Sequence, residues 1–264
     1  MKILDGATLA SFIKERQRRQ IANLVSSGIT PHLLIIRDSN NPVIAKYVNL
    51  KIKYGEDIGA KVTDLCVPTA ELSSAIEKAN LDPTIHGIIL QLPILEKTQT
   101  DHITSLITPT KDVDGLSGHG NYDSATATAI NWLLAGYDIP LASSKIAIIG
   151  RGKLVGAPLY QIFTASGYDV TMFHRGDDLT KLKNFDIIIS ATGTPGVVSD
   201  DMIKSGTTLV DAGTASENGV IKGDLSPGIY HRTDLKAITP RIGGVGPLTI
   251  SCLFDHLIQA TTLR

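Results

Sequence analysis

The sequence predicts an α/β protein of two domains, on three observations. Short apolar runs alternate with helical stretches, the alternation starts afresh near residue 125, and a Pro/Gly-rich piece, Pro109–Gly120, lies between the two series. At 264 residues the chain can build two modest domains, each with its own core.

The first series opens with a helix. Leu9, Phe12, Ile13, Ile21 and Leu24 recur at mostly helical spacing, Lys14, Glu15, Arg16, Arg18 and Arg19 fill the polar side, and Gly28 ends the stretch. His32–Ile36 has the length of a buried strand. Asn40-Asn41-Pro42 is a turn feeding a helix start, because proline suits the first helical turn; that helix runs to about Gly59. A strand at Lys61–Val67, a helix at Glu71–Asn80 and a strand at Gly87–Leu92 complete a set of parallel β-α-β units. The second series has a helix at Ala125–Ala135, a strand at Lys145–Gly150, a helix at Val155–Ala165 and a strand at Asp169–Phe173. Strands at Asp186–Ser190 and Thr207–Asp211 and a last helix at Pro247–Thr262 follow.

Composition excludes several function classes. A hydrophobic content of 42% argues for packed cores, and a net charge of −1 argues against nucleic acid as a partner. No apolar run reaches the roughly 18 residues of a membrane span, so no membrane partner is expected. The opening residues Met1–Gly6 lack the apolar core of a signal peptide. Cys66 and Cys252 both sit among apolar residues and are expected to be buried thiols, which suits a reducing, cytoplasmic location. No Cys/His group has zinc spacing, and no metal site is predicted.

Ile146–Gly156 carries the most legible local motif. A strand enters the glycine turn Gly150-Arg151-Gly152 and a helix leaves it at Val155-Gly156. Glycines let the backbone approach a pyrophosphate, and the helix N-terminus offers N–H donors. The spacing is G-x-G-x-x-x-G, so an ordinary strand-to-helix turn is the bland alternative. The next strand ends at Phe173-His174-Arg175, where NAD sites usually carry an acid for the ribose. Arg175 stands there instead, and with Arg151 it suits a 2′-phosphate, so NADP is favoured, with NAD possible. Asp177 and Asp178 are close by and read better as caps of the following segment.

In the first series Tyr47 and Lys51 share one helix face, being four residues apart. Tyr47 could stack on a flat substrate, and Lys51 could serve as acid, base or fixed charge. Gln91 ends a buried strand, where α/β proteins bind ligands. Asp114 lies in Lys111-Asp112-Val113-Asp114-Gly115 and reads on its own as a turn-forming acid.

Together these segments resemble the bifunctional methylenetetrahydrofolate dehydrogenase/methenyltetrahydrofolate cyclohydrolase family. The matching motifs run in order: Ile3–Gly6, Tyr47-Val48-Asn49-Leu50-Lys51, Gly87–Pro93, Lys111–Gly115, Gly150–Pro158, Ala191–Gly196, Val210–Gly213 and Gly243–Thr249. The resemblance implies an N-terminal α/β catalytic domain plus a Rossmann-type NAD(P)-binding domain, with the C-terminal helix packing back on the first. The expected boundaries are 1–120 with 245–264 for the folate half and 121–244 for the cofactor half. It implies Lys51 as the central catalytic residue, Gln91 tuning it, Tyr47 stacking on the aminobenzoyl group and Asp114 holding the pterin. Gly246 and Pro247 would border the folate. Gly150, Arg151, Gly152, Val155, Gly156, His174, Arg175, Ala191, Thr192, Gly193 and Thr214 would bind NADP. Tetrahydrofolate one-carbon derivatives are the implied substrates, and a homodimer joined through the Rossmann domains is the implied assembly.

The chain departs from the family pattern at four places. Ile44 replaces a Ser, Ser124–Ala129 keeps only the Thr of a Pro-Cys-Thr-Pro-x-Gly segment, Gly152 replaces a Ser in the cofactor turn, and Ile242 replaces a Pro. Three alternatives follow. One is a dehydrogenase with weak or absent cyclohydrolase activity, with NAD as its alternative cofactor. Another is a shikimate-dehydrogenase-like enzyme, which leaves Tyr47, Lys51, Gln91 and Asp114 unexplained. The third is a non-catalytic folate- or nucleotide-binding protein, against which retention of Lys51 argues.

Overall fold

The computed structural model describes residues 1–213, 215–217 and 220–263. In chain order the elements are β1 (Lys2–Ile3), α1 (Gly6–Ser26), β2 (His32–Arg37), α2 (Pro42–Ile58), β3 (Lys61–Cys66), α3 (Leu72–Leu81), β4 (Gly87–Leu90) and α4 (Thr100–Ser105). They continue as α5 (Ala125–Gly136), β5 (Ile146–Ile149), α6 (Gly156–Ala165), β6 (Val170–Phe173), β7 (Ile187–Ser190) and β8 (Thr208–Asp211). The last are β9 (Ala215–Glu217), β10 (Val220–Lys222), β11 (Ala237–Ile238) and α7 (Val245–Thr262). By contact density the chain forms two compact units, Ser11–Ala125 with Ile250–Arg264, and Met1–Ala10 with Thr126–Thr249.

The first unit is built on a parallel sheet in the order β3-β2-β4. Its central strand is apolar on both faces because both are covered: Leu33, Leu34, Ile35 and Ile36 are all buried. Leu34, Ile36, Ile88 and Leu90 pack with Leu72 and Ile76 of α3 and with Ile103 and Ile107. Asn41 caps α2, its side chain accepting from Val43 N–H at 2.9 Å; Pro42 fills the first turn, and Gly59 closes the helix in the left-handed conformation. Residues 250–262 of α7 pack in this unit. Gln17 Nε2 donates to the Ser251 carbonyl at 2.8 Å, the Tyr54 hydroxyl lies between Gln17 Oε1 at 2.7 Å and Ser251 Oγ at 3.0 Å, and the Tyr54 ring stacks on Phe254. Burial raises the Tyr54 hydroxyl to about 12, so it keeps its proton and donates to Gln17.

The second unit holds a six-stranded parallel sheet, β1-β11-β8-β7-β5-β6. β5 is flanked by β6 on one side and β7 on the other, so the chain reverses its direction of travel across the sheet at β5. Ligands of open α/β sheets bind at the carboxyl ends of the strands at such a switch point. The core packs Ala147, Ile149, Ile188, Leu209 and Ile238 against Leu182, Val198 and Ile229.

Two expectations are corrected, and one element is new. Cys66 is exposed, because it closes β3, an edge strand; Cys252 is buried as expected. Phe12 is 70% exposed and lies outside the apolar face of α1, whose buried positions include Ala10, Gln17 and Ile21. The two-residue strand β1 pairs with β11 in the six-stranded sheet, where the sequence carries no strand pattern.

Candidate active site and cofactor loops

In the three-stranded unit α2 carries Lys51 and the carboxyl end of β4 carries Gln91. Gln91 N–H donates to the Ile36 carbonyl at 2.8 Å, so the sheet ladder extends to this residue and fixes its Cα. Lys51 Nζ donates to Gln91 Oε1 at 2.7 Å, and Gln91 Nε2 donates to the Leu92 carbonyl at 3.0 Å. The amide is thus held from one side and aims its oxygen at the lysine. Burial lowers the Lys51 pKa, and the Asp114 charge opposes that shift. Lys51 keeps some solvent exposure, but most of its length is enclosed by protein atoms.

Asp114 shows the mirror case. Burial pushes its carboxyl up to about 6, Lys51 pulls it down and Asp112 pushes it up. Around it the backbone is anchored at several points. Lys111 Nζ donates to the carbonyls of Ala79, Asn80 and Asp82 at 2.7–2.8 Å, capping the end of α3 with a cation. Ile88 N–H donates to the Lys111 carbonyl at 2.8 Å. Asp112 accepts from the N–H groups of Gly115, Leu116 and Ser117. His256 Nδ1 donates to the Val113 carbonyl at 2.9 Å, which selects the tautomer protonated at Nδ1, and burial lowers its pKa. Lys111, Asp112 and His256 therefore position Asp114. The sequence gives Lys111 and Asp112 a place in the Lys111–Gly115 motif but no role, and gives no signal for His256. Tyr47 is half-buried one turn before Lys51, and burial raises its hydroxyl pKa.

In the six-stranded unit the Gly150 turn and Ala191 meet at the switch point between β5 and β7. Gly150 has φ +101°, and a side-chain carbon on it would lie 2.6 Å from the Ala191 carbonyl oxygen. A carbon on Gly156 would lie 1.7 Å from the Gly150 carbonyl oxygen, so the strand, turn and α6 can close up only with glycine there. Gly152 faces open space: among the described residues no atom comes within 4 Å of where its side-chain carbon would stand. The turn thus presents backbone to solvent at the start of a ten-residue helix, which fits a pyrophosphate. Val155 precedes that helix; Arg151, His174 and Arg175 are exposed. The neighbouring acids are turned to backbone: Asp177 accepts from His174 N–H at 2.7 Å, and Asp178 caps residues 179–184 through Thr180 N–H at 3.1 Å. Thr192 and Gly193 follow β7, Gly246 and Pro247 lie in the first turn of α7, and Thr214 lies outside the described residues.

A parallel sheet with a glycine-turn switch point, together with a smaller α/β unit holding a half-buried Lys–Gln–Asp group, is the architecture of a nucleotide-dependent enzyme of the two-domain dehydrogenase class. Comparison with known proteins sharpens this. Residues 4–114 match the family model "Tetrahydrofolate dehydrogenase/cyclohydrolase, catalytic domain", and residues 124–264 match its "NAD(P)-binding domain". The chain belongs to the tetrahydrofolate dehydrogenase/cyclohydrolase family. It is 35% identical to the bifunctional protein FolD of Lactobacillus helveticus, over 98% of this chain and 97% of that one. It is similar to the crystal structure of the bifunctional FolD methylenetetrahydrofolate dehydrogenase/cyclohydrolase of Campylobacter jejuni, with TM-score 0.93, 32% identity and coverage of 100% and 99%. The Trypanosoma brucei methylenetetrahydrofolate dehydrogenase-cyclohydrolase, solved with NADP cofactor and inhibitor, aligns with TM-score 0.90 at 26% identity, covering 99% of this chain and 97% of that one.

Proposed function

We propose that Lys51, Gln91, Tyr47 and Asp114 form the folate-handling site of this enzyme. The chain oxidises 5,10-methylenetetrahydrofolate to the 5,10-methenyl form with NADP and hydrolyses that product to 10-formyltetrahydrofolate. The observation that carries the residue assignment is the 2.7 Å hydrogen bond from Lys51 to Gln91, with the Asp114 carboxyl enclosed nearby. In this reading Asp114 accepts from the N–H donors of the pterin edge, and Tyr47 stacks on the aminobenzoyl ring. Lys51, directed by Gln91, stands where water attacks the methenyl carbon. Its burial-lowered pKa makes proton transfer at Nζ easier near neutral pH, and its charge state can respond to the cation beside it.

When bound, NADP supplies the hydride acceptor. The residues that would hold it are Gly150, Arg151, Gly152, Val155, Gly156, His174, Arg175, Ala191, Thr192 and Gly193, with Arg151 and Arg175 directed at the 2′-phosphate. Gly246 and Pro247 would border the folate. The functional division we assign is residues 1–120 with 245–264 for folate and 121–244 for the cofactor, in a cytoplasmic homodimer. A turnover assay with 5,10-methylenetetrahydrofolate and each nicotinamide cofactor, followed by hydrolysis of supplied methenyltetrahydrofolate, tests the function directly. Absence of both conversions would overturn it.

A further inference from the structure

Two acids, a buried one and a half-buried one, tie together the loops that follow β7 and β8. Asp224 is fully buried. Its Oδ2 accepts from Ser190 Oγ at 2.8 Å and from Thr192 N–H at 2.6 Å. Its own N–H donates to Asp211 Oδ1 at 3.0 Å, and Gly213 N–H donates to the same oxygen at 2.9 Å. Asp211 Oδ2 accepts from Leu225 N–H at 3.2 Å and from the Tyr230 hydroxyl at 2.9 Å. The second oxygen of Asp224, Oδ1, has no hydrogen-bond partner among the described residues; it packs against Gly213, where a side-chain carbon would come within 2.1 Å of it.

This arrangement is costly for stability alone. A buried carboxylate with one oxygen unpaired forfeits much of its hydration without full replacement. What it gains is geometry. Ser190 and Thr192 flank Ala191, whose carbonyl forms the wall opposite Gly150 at the switch point. One oxygen of Asp224 holds the Ser190 side chain and the Thr192 N–H, so it fixes the peptide that carries the Ala191 carbonyl, while Ala191 N–H is held separately by the Ile149 carbonyl at 2.9 Å. The segment bearing Asp224 is in turn held by Asp211, at the end of the adjacent strand β8.

We propose that Asp224 is the positioning residue of the cofactor site, fixing the Ser190–Thr192 strand end, with Asp211 and Gly213 fixing Asp224. The inference rests on the reading that the loop after β7 lies along NADP. It acts through backbone placement, without touching the cofactor.

The test uses the full-length enzyme and Asp224→Ala, Asp224→Asn and Ser190→Ala. Asp224→Ala is expected to raise KM for NADP about tenfold, with kcat at saturating NADP changed less than about threefold. Asp224→Asn keeps one acceptor oxygen for Ser190 and Thr192 and should fall between wild type and alanine. Ser190→Ala removes one donor and should raise KM for NADP by about two- to fivefold. Hydrolysis of supplied methenyltetrahydrofolate, assayed without nucleotide, should stay within about twofold of wild type in the Ser190 variant. Unchanged KM for NADP, or an equal fall in both activities, overturns the inference. Should Asp224→Ala fail to fold, Ser190→Ala and Asp224→Asn decide by the same criteria. If the wild type itself does not use NADP, the functional reading falls and takes this inference with it. If the wild type does and the variants match it, only the inference falls.

Discussion

Asp114, which the proposed function assigns to the pterin, should weaken the unliganded fold. Its carboxyl sits at about 6 against an ordinary 3.8, with burial the largest cause. The sign follows from linkage. Between those two values the folded protein holds a proton that the unfolded chain has released, so folding stability falls as pH rises through this window. At about 1.36 kcal/mol per pKa unit, the ionised group costs the fold up to about 3 kcal/mol above pH 6. Asp114→Asn removes that cost but leaves Lys51 without the neighbouring charge that favours its ammonium form, so we expect a net gain of about 1–2 kcal/mol at pH 7.5. Urea unfolding followed by circular dichroism would measure it, comparing mutant and wild type at each pH. The difference should be near zero at pH 4 and grow to its full size by pH 7. The same substitution should weaken folate binding far more than cofactor binding, since it places a donor against donors. A mutant less stable than wild type at pH 7.5, or a difference that shrinks with rising pH, would refute the burial argument.

Lys51→Met should abolish hydrolysis of methenyltetrahydrofolate while circular dichroism and NADP binding stay close to wild type; unimpaired hydrolysis would remove Lys51 from the mechanism. Arg175→Ala should lower the ratio of kcat/KM for NADP over NAD by about tenfold or more, the loss of one charged hydrogen bond at about 1.5–3 kcal/mol. No change in that ratio would place the 2′-phosphate elsewhere. Gly156→Ala should eliminate NADP binding, measured by fluorescence titration, because its methyl would fall 1.7 Å from the Gly150 carbonyl oxygen. Gly152→Ser should bind NADP at least as well as wild type, because its side chain enters open space; weaker binding would mean that the bare backbone at 152 is itself needed.

Much of the fold is legible in the sequence because apolar runs and turn chemistry are local. The buried strands β2, β4, β5 and β7 read as uninterrupted Ile/Leu-rich segments, and Asn41-Pro42 marks a helix start that the cap geometry bears out. The expected strands begin one residue early, at Lys145, Asp169 and Asp186; the carbonyls of these residues accept the first inter-strand hydrogen bonds, so the difference is one of boundary only. β1 and β11 are invisible because two residues carry no period, and α4 because six residues carry too little. Tyr47 and Lys51 can be placed on one helix face by spacing. The Lys51–Gln91 contact spans 40 positions, and only the parallel pairing of β2 with β4 makes it. Asp224 is unreadable for the same reason: its partners Ser190 and Thr192 lie more than 30 residues away.

Three of the four departures from the family pattern, Ile44, Gly152 and Ile242, fall where the fold absorbs them. Ile44 is 7% exposed on α2, where an apolar side chain adds burial, and Val48 shares its face one turn on. Losing a serine there removes a polar group on which the hydrogen bonds of Lys51, Gln91 and Asp112 do not depend. Gly152 costs nothing in packing, because the position is open, and the close approach in the turn is made by Gly150 and Gly156, both retained. Ile242 is 86% exposed and rigidifies its loop less than proline, but the following Gly243 is still fixed by Ala7 N–H donating to its carbonyl at 2.9 Å. What differs at these three positions is therefore side-chain decoration. The backbone approach at Gly150–Ala191, and the Lys51–Gln91 bond beside Asp114, are geometric requirements that no neighbouring residue can supply in their place.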